Sequence, residues 1–159
     1  MHIRPAETDD MPVLVDLIQR AFKEVAQRFG LTKENCPTHP SLYTKERITA
    51  DFNKGVAYFM LENEGAQMGC VALERAPDDI CYLERLGVLP EKRRKGYGRA
   101  LVERVITEAR ALDAKQISIG IIAHDQDLKS WYAHIGFVER KTREFKHLPF
   151  RVAFMAYEL

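Results

Sequence analysis

The chain has 159 residues, of which 46% are hydrophobic and 30% charged, and a formal net charge of +1. That length suits one domain, residues 1–159, with its own buried core. The balanced charge argues against a general polyanion binder, and no apolar run approaches the ~20 residues that a membrane helix needs. The three cysteines, Cys36, Cys70 and Cys81, form no C-x-x-C pair, so neither a disulfide framework nor a thiolate zinc site is indicated. Cys70 and Cys81 read as small buried hydrophobes. Met1 to Pro5, followed by Glu7, Asp9 and Asp10, lacks the apolar core of a signal peptide, and a cytoplasmic protein is expected.

His2 to Pro5 reads as a short strand. Thr8 or Asp9 then caps a helix reaching Phe29, with Gly30 as its stop and Val13, Leu17, Ala21, Val25 and Phe29 on its packing face. Leu31 to Tyr43 holds two prolines and no periodicity, so a loop is expected before a short helix from Thr44 to about Phe52. A loop of that length suits substrate selection. Cys36 and His39 lie within it, but two candidate ligands do not make a metal site. Val56 to Glu62 and Gln67 to Glu74 form a hairpin through Asn63-Glu64-Gly65-Ala66, and a strand begins near Ile80 after Pro77-Asp78-Asp79.

The stretch from Tyr82 to Leu112 organises the chain. Leu83, Leu86, Val88 and Leu89 make an apolar strand that Pro90 ends, and a helix follows with Val102, Val105, Ile106 and Ala109 at i, i+3, i+4, i+7. Between them runs a basic turn, Glu91 to Arg99, with Gly96 and Gly98 where the chain must bend. A helix N-terminus presents unpaired N–H groups and partial positive charge. With Arg93, Arg94, Lys95 and Arg99 added, the turn is an anion site suited to a pyrophosphate. A Walker A loop would need Gly-Lys-Ser/Thr, and a dinucleotide fingerprint a third glycine. A solvated basic loop or a nucleic-acid patch, joined by Arg140, Lys141, Arg143 and Lys146, is the competing reading, and the acidic content elsewhere weakens it.

Gln116 to Ile122 resumes a strand. Leu128, Trp131, Tyr132 and Ile135 then mark a short helix that Gly136 ends, and Phe137 to Arg143 and Phe150 to Glu158 form a final strand pair. The order is mixed α/β, an antiparallel meander leading into a strand–helix–strand unit.

Arg-x-x-Gly-x-Gly over Arg93 to Gly98, between a strand ending in Val-x-Pro and a helix, resembles the acyl-CoA-binding signature of the GNAT (N-acetyltransferase) superfamily. Tyr-x-x-x-Gly-Phe, from Tyr132 to Phe137, resembles that family's second element, and the two occur in the family's order. The resemblance implies a mostly antiparallel twisted sheet of about six to seven strands flanked by about four helices and splayed at the acyl-CoA site. It implies acetyl-CoA as co-substrate, no metal, and acyl transfer to a primary amine on a small molecule or peptide. A CoA-binding module without chemistry is the alternative. Neither nucleic acid nor membrane is an expected partner. A strand near the C-terminus either pairs between subunits in a homodimer or is covered.

Carried over residue by residue, the resemblance places the pantetheine and the oxyanion at the backbone of Leu86, Gly87 and Val88, with Gly87 either easing an irregular conformation or accommodating packing. It places the pyrophosphate on Arg93, Arg94, Lys95, Gly96, Tyr97, Gly98 and Arg99, and the general acid at Tyr132. Many relatives have Asn where this chain has Asp125 and Ala where it has Leu128. Asp125 either contributes a pantetheine contact or caps the helix. The position of a base glutamate in some relatives is Gly120 here. Glu84, sharing strand parity with Leu86 and Val88, is the leading base candidate, with an ion-pair role as the alternative. Glu74 and His124 are weaker choices.

Overall fold

The computed structural model describes residues 1–159. Its strands are β1 (His2–Pro5), β2 (Ala57–Asn63), β3 (Ala66–Ala76), β4 (Ile80–Val88), β5 (Gln116–Ile122), β6 (Val138–Arg143) and β7 (Val152–Glu158). Its α-helices are α1 (Met11–Arg28), α2 (Lys45–Asn53), α3 (Tyr97–Ala111) and α4 (Gln126–Ile135). The strands form one sheet in the order β1-β2-β3-β4-β5-β7-β6. Every neighbouring pair is antiparallel except β4 and β5. No helix is long and apolar enough to cross a membrane.

Two apolar layers cover the sheet. On one face Leu101, Val102, Val105, Ile106 and Ala109 of α3 pack with Leu83, Ile117, Ile119, Tyr132 and Phe137. On the other, Leu14, Leu17 and Ile18 of α1 and Ile48 of α2 cover Tyr58, Met60, Cys70 and Ala72. The α3 stripe is the one its spacing predicts. The α1 stripe is shifted: Leu14, Leu17, Ile18 and Ala21 are buried, whereas Val13 is exposed and Val25 and Phe29 are half-buried. A wide core-facing stripe takes three to four positions per two turns, and a strict four-residue step drifts off it.

The feature that makes a site is the junction of β4 with β5. Their parallel pairing runs only from Ile80 with Gln116 to Tyr82 with Ser118. Beyond it the strands part, while β5 stays paired with β7 along its length. On its other edge β4 is bulged against β3: Cys70 faces Gly87, yet Ala72 faces Glu84, so Arg85 and Leu86 together oppose one residue. Arg85 takes φ 50° at this point, a left-handed backbone rare for a residue with a long side chain.

The irregular residue is therefore Arg85, and of the two readings of Gly87 the packing one holds. Gly87 is not left-handed; it is where α1 rests on the sheet. A Cβ there would lie 2.8 Å from the Ala21 Cβ and 3.1 Å from the Phe22 ring. Gly87→Ala should destabilise the fold by about 1–3 kcal/mol through overpacking against α1. Urea unfolding measures this, and an unchanged midpoint would mean that α1 moves away freely.

Candidate active site

Two cavities meet where β4 leaves β5. One, of about 500 Å³, is walled by the turn before α3 (Arg94, Gly96, Gly98), Leu86 to Val88, Trp131 and the inner side of α1. The other, of about 530 Å³, lies between β4 and β5 and is walled by Glu84, Arg85, Ile119, Ile121, Tyr132 and Phe154 among others. Phe22, Val25, Leu86, Asp125 and Leu128 belong to both walls, so the two cavities adjoin there.

The turn leaves a run of backbone donors free. No N–H from Arg94 to Arg99 has a backbone acceptor; the first helical bond in this stretch is donated by Ala100 to the Gly96 carbonyl. Gly96 is left-handed at φ 82°, which a glycine adopts without steric cost. A Cβ on Gly98 would sit 3.3 Å from the Trp131 ring. The cationic side chains are not equivalent. Arg93 is occupied, donating from Nε to the Val88 carbonyl at 3.1 Å, from Nη1 to Glu24 at 2.9 Å and from Nη2 to the Ala21 carbonyl at 2.9 Å. It binds the turn to α1, so its guanidinium is less free for an anion than those of Arg94 and Arg99. Arg99 makes only an exposed i,i+4 pair with Glu103. Arg94 and Lys95 are exposed. Tyr97 accepts from Asn63 Nδ2 at 3.0 Å.

Asp125 is 6% exposed. Its Oδ1 accepts from the Leu128 N–H at 3.2 Å, capping α4, and its Oδ2 pairs with Arg28 at 2.7 Å. Of the two roles open to it, the cap is made. Tyr132 is 4% exposed, packed edge-on against Trp131 and Phe137. Burial pushes its phenol well above the ordinary tyrosine value, so it is protonated at neutral pH.

Glu84 reaches the cleft, though not by the parity expected. The bulge offsets it from Leu86 and Val88, which pack on the α3 face, while Glu84 lies opposite Ala72 on the α1 face. One of its oxygens pairs with Arg85 Nη1, and the other is buried without a donor. Arg85 is 8% exposed at the side chain. It also donates from Nε to the Tyr43 hydroxyl at 2.8 Å and faces Asp51 at 3.7 Å. Asp51 in turn accepts from the Tyr58 hydroxyl at 2.5 Å. The Glu84 carboxyl is pushed up to about 7, first by burial and then by the neighbouring Glu74 carboxyl, against the pull of Arg85. Glu74 is held low by its neighbours Glu84 and Lys54, the latter 2.9 Å away. His124 is exposed and outside both walls.

Gly120 stands opposite Phe154, and a Cβ there would lie 3.1 Å from Val152 and 3.4 Å from the Phe154 ring. The space that a β5 glutamate would need is filled from β7. Sequence reasoning missed Arg85, Tyr43, Asp51 and Trp131. The available signal was a charged pair, Glu84-Arg85, inside an apolar strand.

The acetyltransferase (GNAT) family model matches residues 16–137, and the chain belongs to that family. Over 123 residues the chain is 28% identical to an uncharacterised N-acetyltransferase, YjgM, of Escherichia coli K12, covering 76% of this chain and 74% of that one. Among solved structures, the PaiA N-acetyltransferase of Thermoplasma acidophilum in complex with coenzyme A superposes with a TM-score of 0.80 at 15% identity, over 99% of this chain and 98% of that one. The ribosomal-protein-S18-alanine N-acetyltransferase of Escherichia coli gives 0.78 at 20% identity, over 99% and 92%. These likenesses show the fold.

A carboxyl raised on folding makes the native state bind more protons than the unfolded chain between its ordinary value of 4.5 and about 7. Its contribution is full below that window and is lost as pH rises through it. Glu84→Gln, neutral at every pH, should therefore flatten the decline: between pH 4.5 and 8 the wild type loses stability relative to the variant. Urea unfolding across that range is the measurement, and parallel curves would place the proton elsewhere.

Proposed function

We propose that the protein is an acetyl-CoA-dependent N-acetyltransferase in which a primary amine attacks the thioester directly. The observation that carries this reading is that the two cavities adjoin at Leu86, with a turn rich in free N–H groups at one end and a carboxyl at the other. Coenzyme A fits the first cavity chemically: free N–H groups from Arg94 to Arg99 suit its diphosphate, with Arg94, Lys95 and Arg99 adding charge. The exposed edge of β4 from Leu86 to Val88 suits the amides of the pantetheine arm.

The acceptor arrives as an ammonium and must lose a proton before its nitrogen can attack. Glu84, poised near neutrality, accepts it, and Glu74 and Lys54 lie behind it toward the surface. Attack forms the C–N bond and a tetrahedral oxyanion, which backbone N–H groups of Leu86 to Val88 stabilise. The C–S bond then breaks. Its electron pair leaves on sulfur, the Tyr132 hydroxyl gives that sulfur a proton, and the extra proton on the new amide nitrogen is released to restore the phenol. The burial that raises the phenol also disfavours a bare thiolate in the same dry space, so the transfer stays nearly matched.

Tyr132→Phe should lower kcat roughly ten- to a thousand-fold while leaving acetyl-CoA affinity nearly unchanged. Steady-state kinetics with calorimetry tests this, and unaltered turnover would remove the phenol from the scheme. In Glu84→Gln the acidic limb of the kcat/KM profile, expected near pH 7 in the wild type, should disappear. Retention of that limb would assign the base elsewhere.

A further inference from the structure

Within the reading above, the wall of the second cavity restricts what the acceptor can be. Of its 21 residues, 14 are hydrophobic. The remaining charges are almost all spoken for. Arg85 is the sole arginine or lysine in the wall, and its three nitrogens face Tyr43, Glu84 and Asp51. Asp125 is held by Arg28 and by the α4 cap. His39 is buried with its ring nitrogen Nδ1 on Ser41, and burial pushes it down to about 4, so it is neutral. Lys141 lies over the Phe154 ring at 5.8 Å but is not part of the wall. The remaining acid of the wall is Glu84, whose only ion pair is with its chain neighbour Arg85.

We infer that the acceptor is a small monoamine with an uncharged, largely apolar body, an aryl-alkyl or alkyl amine, its nitrogen seated at Glu84 and its body against Ile119, Ile121 and Phe154. A free amino acid would bring a carboxylate into a wall with no uncommitted cation. A polyamine would bring a second ammonium with no second free carboxylate. Each leaves a charge desolvated and unpaired. Gly120 contributes to the same selectivity, because the position from which a second acid could project is closed by Phe154. A peptide N-terminus would require its successive amides to find partners along a mostly apolar surface.

The test compares kcat/KM for phenethylamine and hexylamine with that for phenylalanine, spermidine and an alanine-initiated tetrapeptide, with acetyl-CoA binding followed separately by calorimetry. Phenethylamine is expected to exceed phenylalanine by about a hundred-fold or more, since the two differ by one uncompensated carboxylate. Spermidine and the peptide should fall similarly behind. Equal or better transfer to phenylalanine, spermidine or the peptide overturns the inference and leaves the acetyltransferase reading intact. Transfer to none of the five overturns the inference as well. Only if acetyl-CoA uptake is also absent does the reading beneath it fall.

Discussion

The site depends on one constraint, that β4 cannot remain paired with β5 beyond Tyr82 while it is bulged against β3. The bulge inserts a residue on one edge, increases the local twist and turns the other edge away from its neighbour. Holding Arg85 left-handed costs about 1–3 kcal/mol, and its surroundings must supply that stabilisation. Tyr43, Asp51 and Glu84 engage the guanidinium from three sides, and Tyr58 fixes Asp51 from below. Removing one partner would leave a buried cation partly unpaired, which is far more destabilising than the pair itself is stabilising. The network under the strand and the opening above it are thus one structure.

The two cavities are electrostatic opposites. Around the α3 N-terminus, free N–H groups and exposed cations create positive potential where the backbone can be approached closely. Between β4 and β5 the wall is apolar and holds one carboxyl whose proton is easily exchanged near neutrality. Such a division suits a reaction that joins a polyanionic donor to a cationic acceptor: each is drawn to its own end, and they meet at Leu86.

Much of this was legible in the sequence because it rests on local rules. The Val102, Val105, Ile106, Ala109 stripe, the glycines of the turn and the Gly136 stop follow from helical period and backbone freedom, and the structure places each as expected. The β4 residues were harder. Strand parity assumes an uninterrupted pleat, and the bulge at Arg85 breaks it, so Glu84 and Leu86 fall on opposite faces despite their spacing. Gly87 left an irregular backbone and a packing accommodation both open, and its contact with Ala21, which only the tertiary fold creates, decides for packing. Arg93 shared the motif with Arg94, and nothing local could reveal that Glu24, some 69 residues earlier, would claim it.

The helix that these long-range contacts have in common is α1. Gly87 admits its Ala21, Arg93 grips its Ala21 carbonyl and Glu24, and Arg28 at its end reaches Asp125 at the head of α4. The last contact explains why an acid at position 125 is compatible with a cleft wall. A neutral amide there could cap α4 unaided, whereas a carboxylate 6% exposed requires a cation, and α1 ends where it can provide one. Phe22 and Val25, between the attachment points, line both cavities. Fastened at Ala21, Glu24 and Arg28, the C-terminal half of α1 is a fixed roof where the cavities adjoin, and the distance from the turn before α3 to Glu84 is set by packing and ion pairs rather than by loop motion.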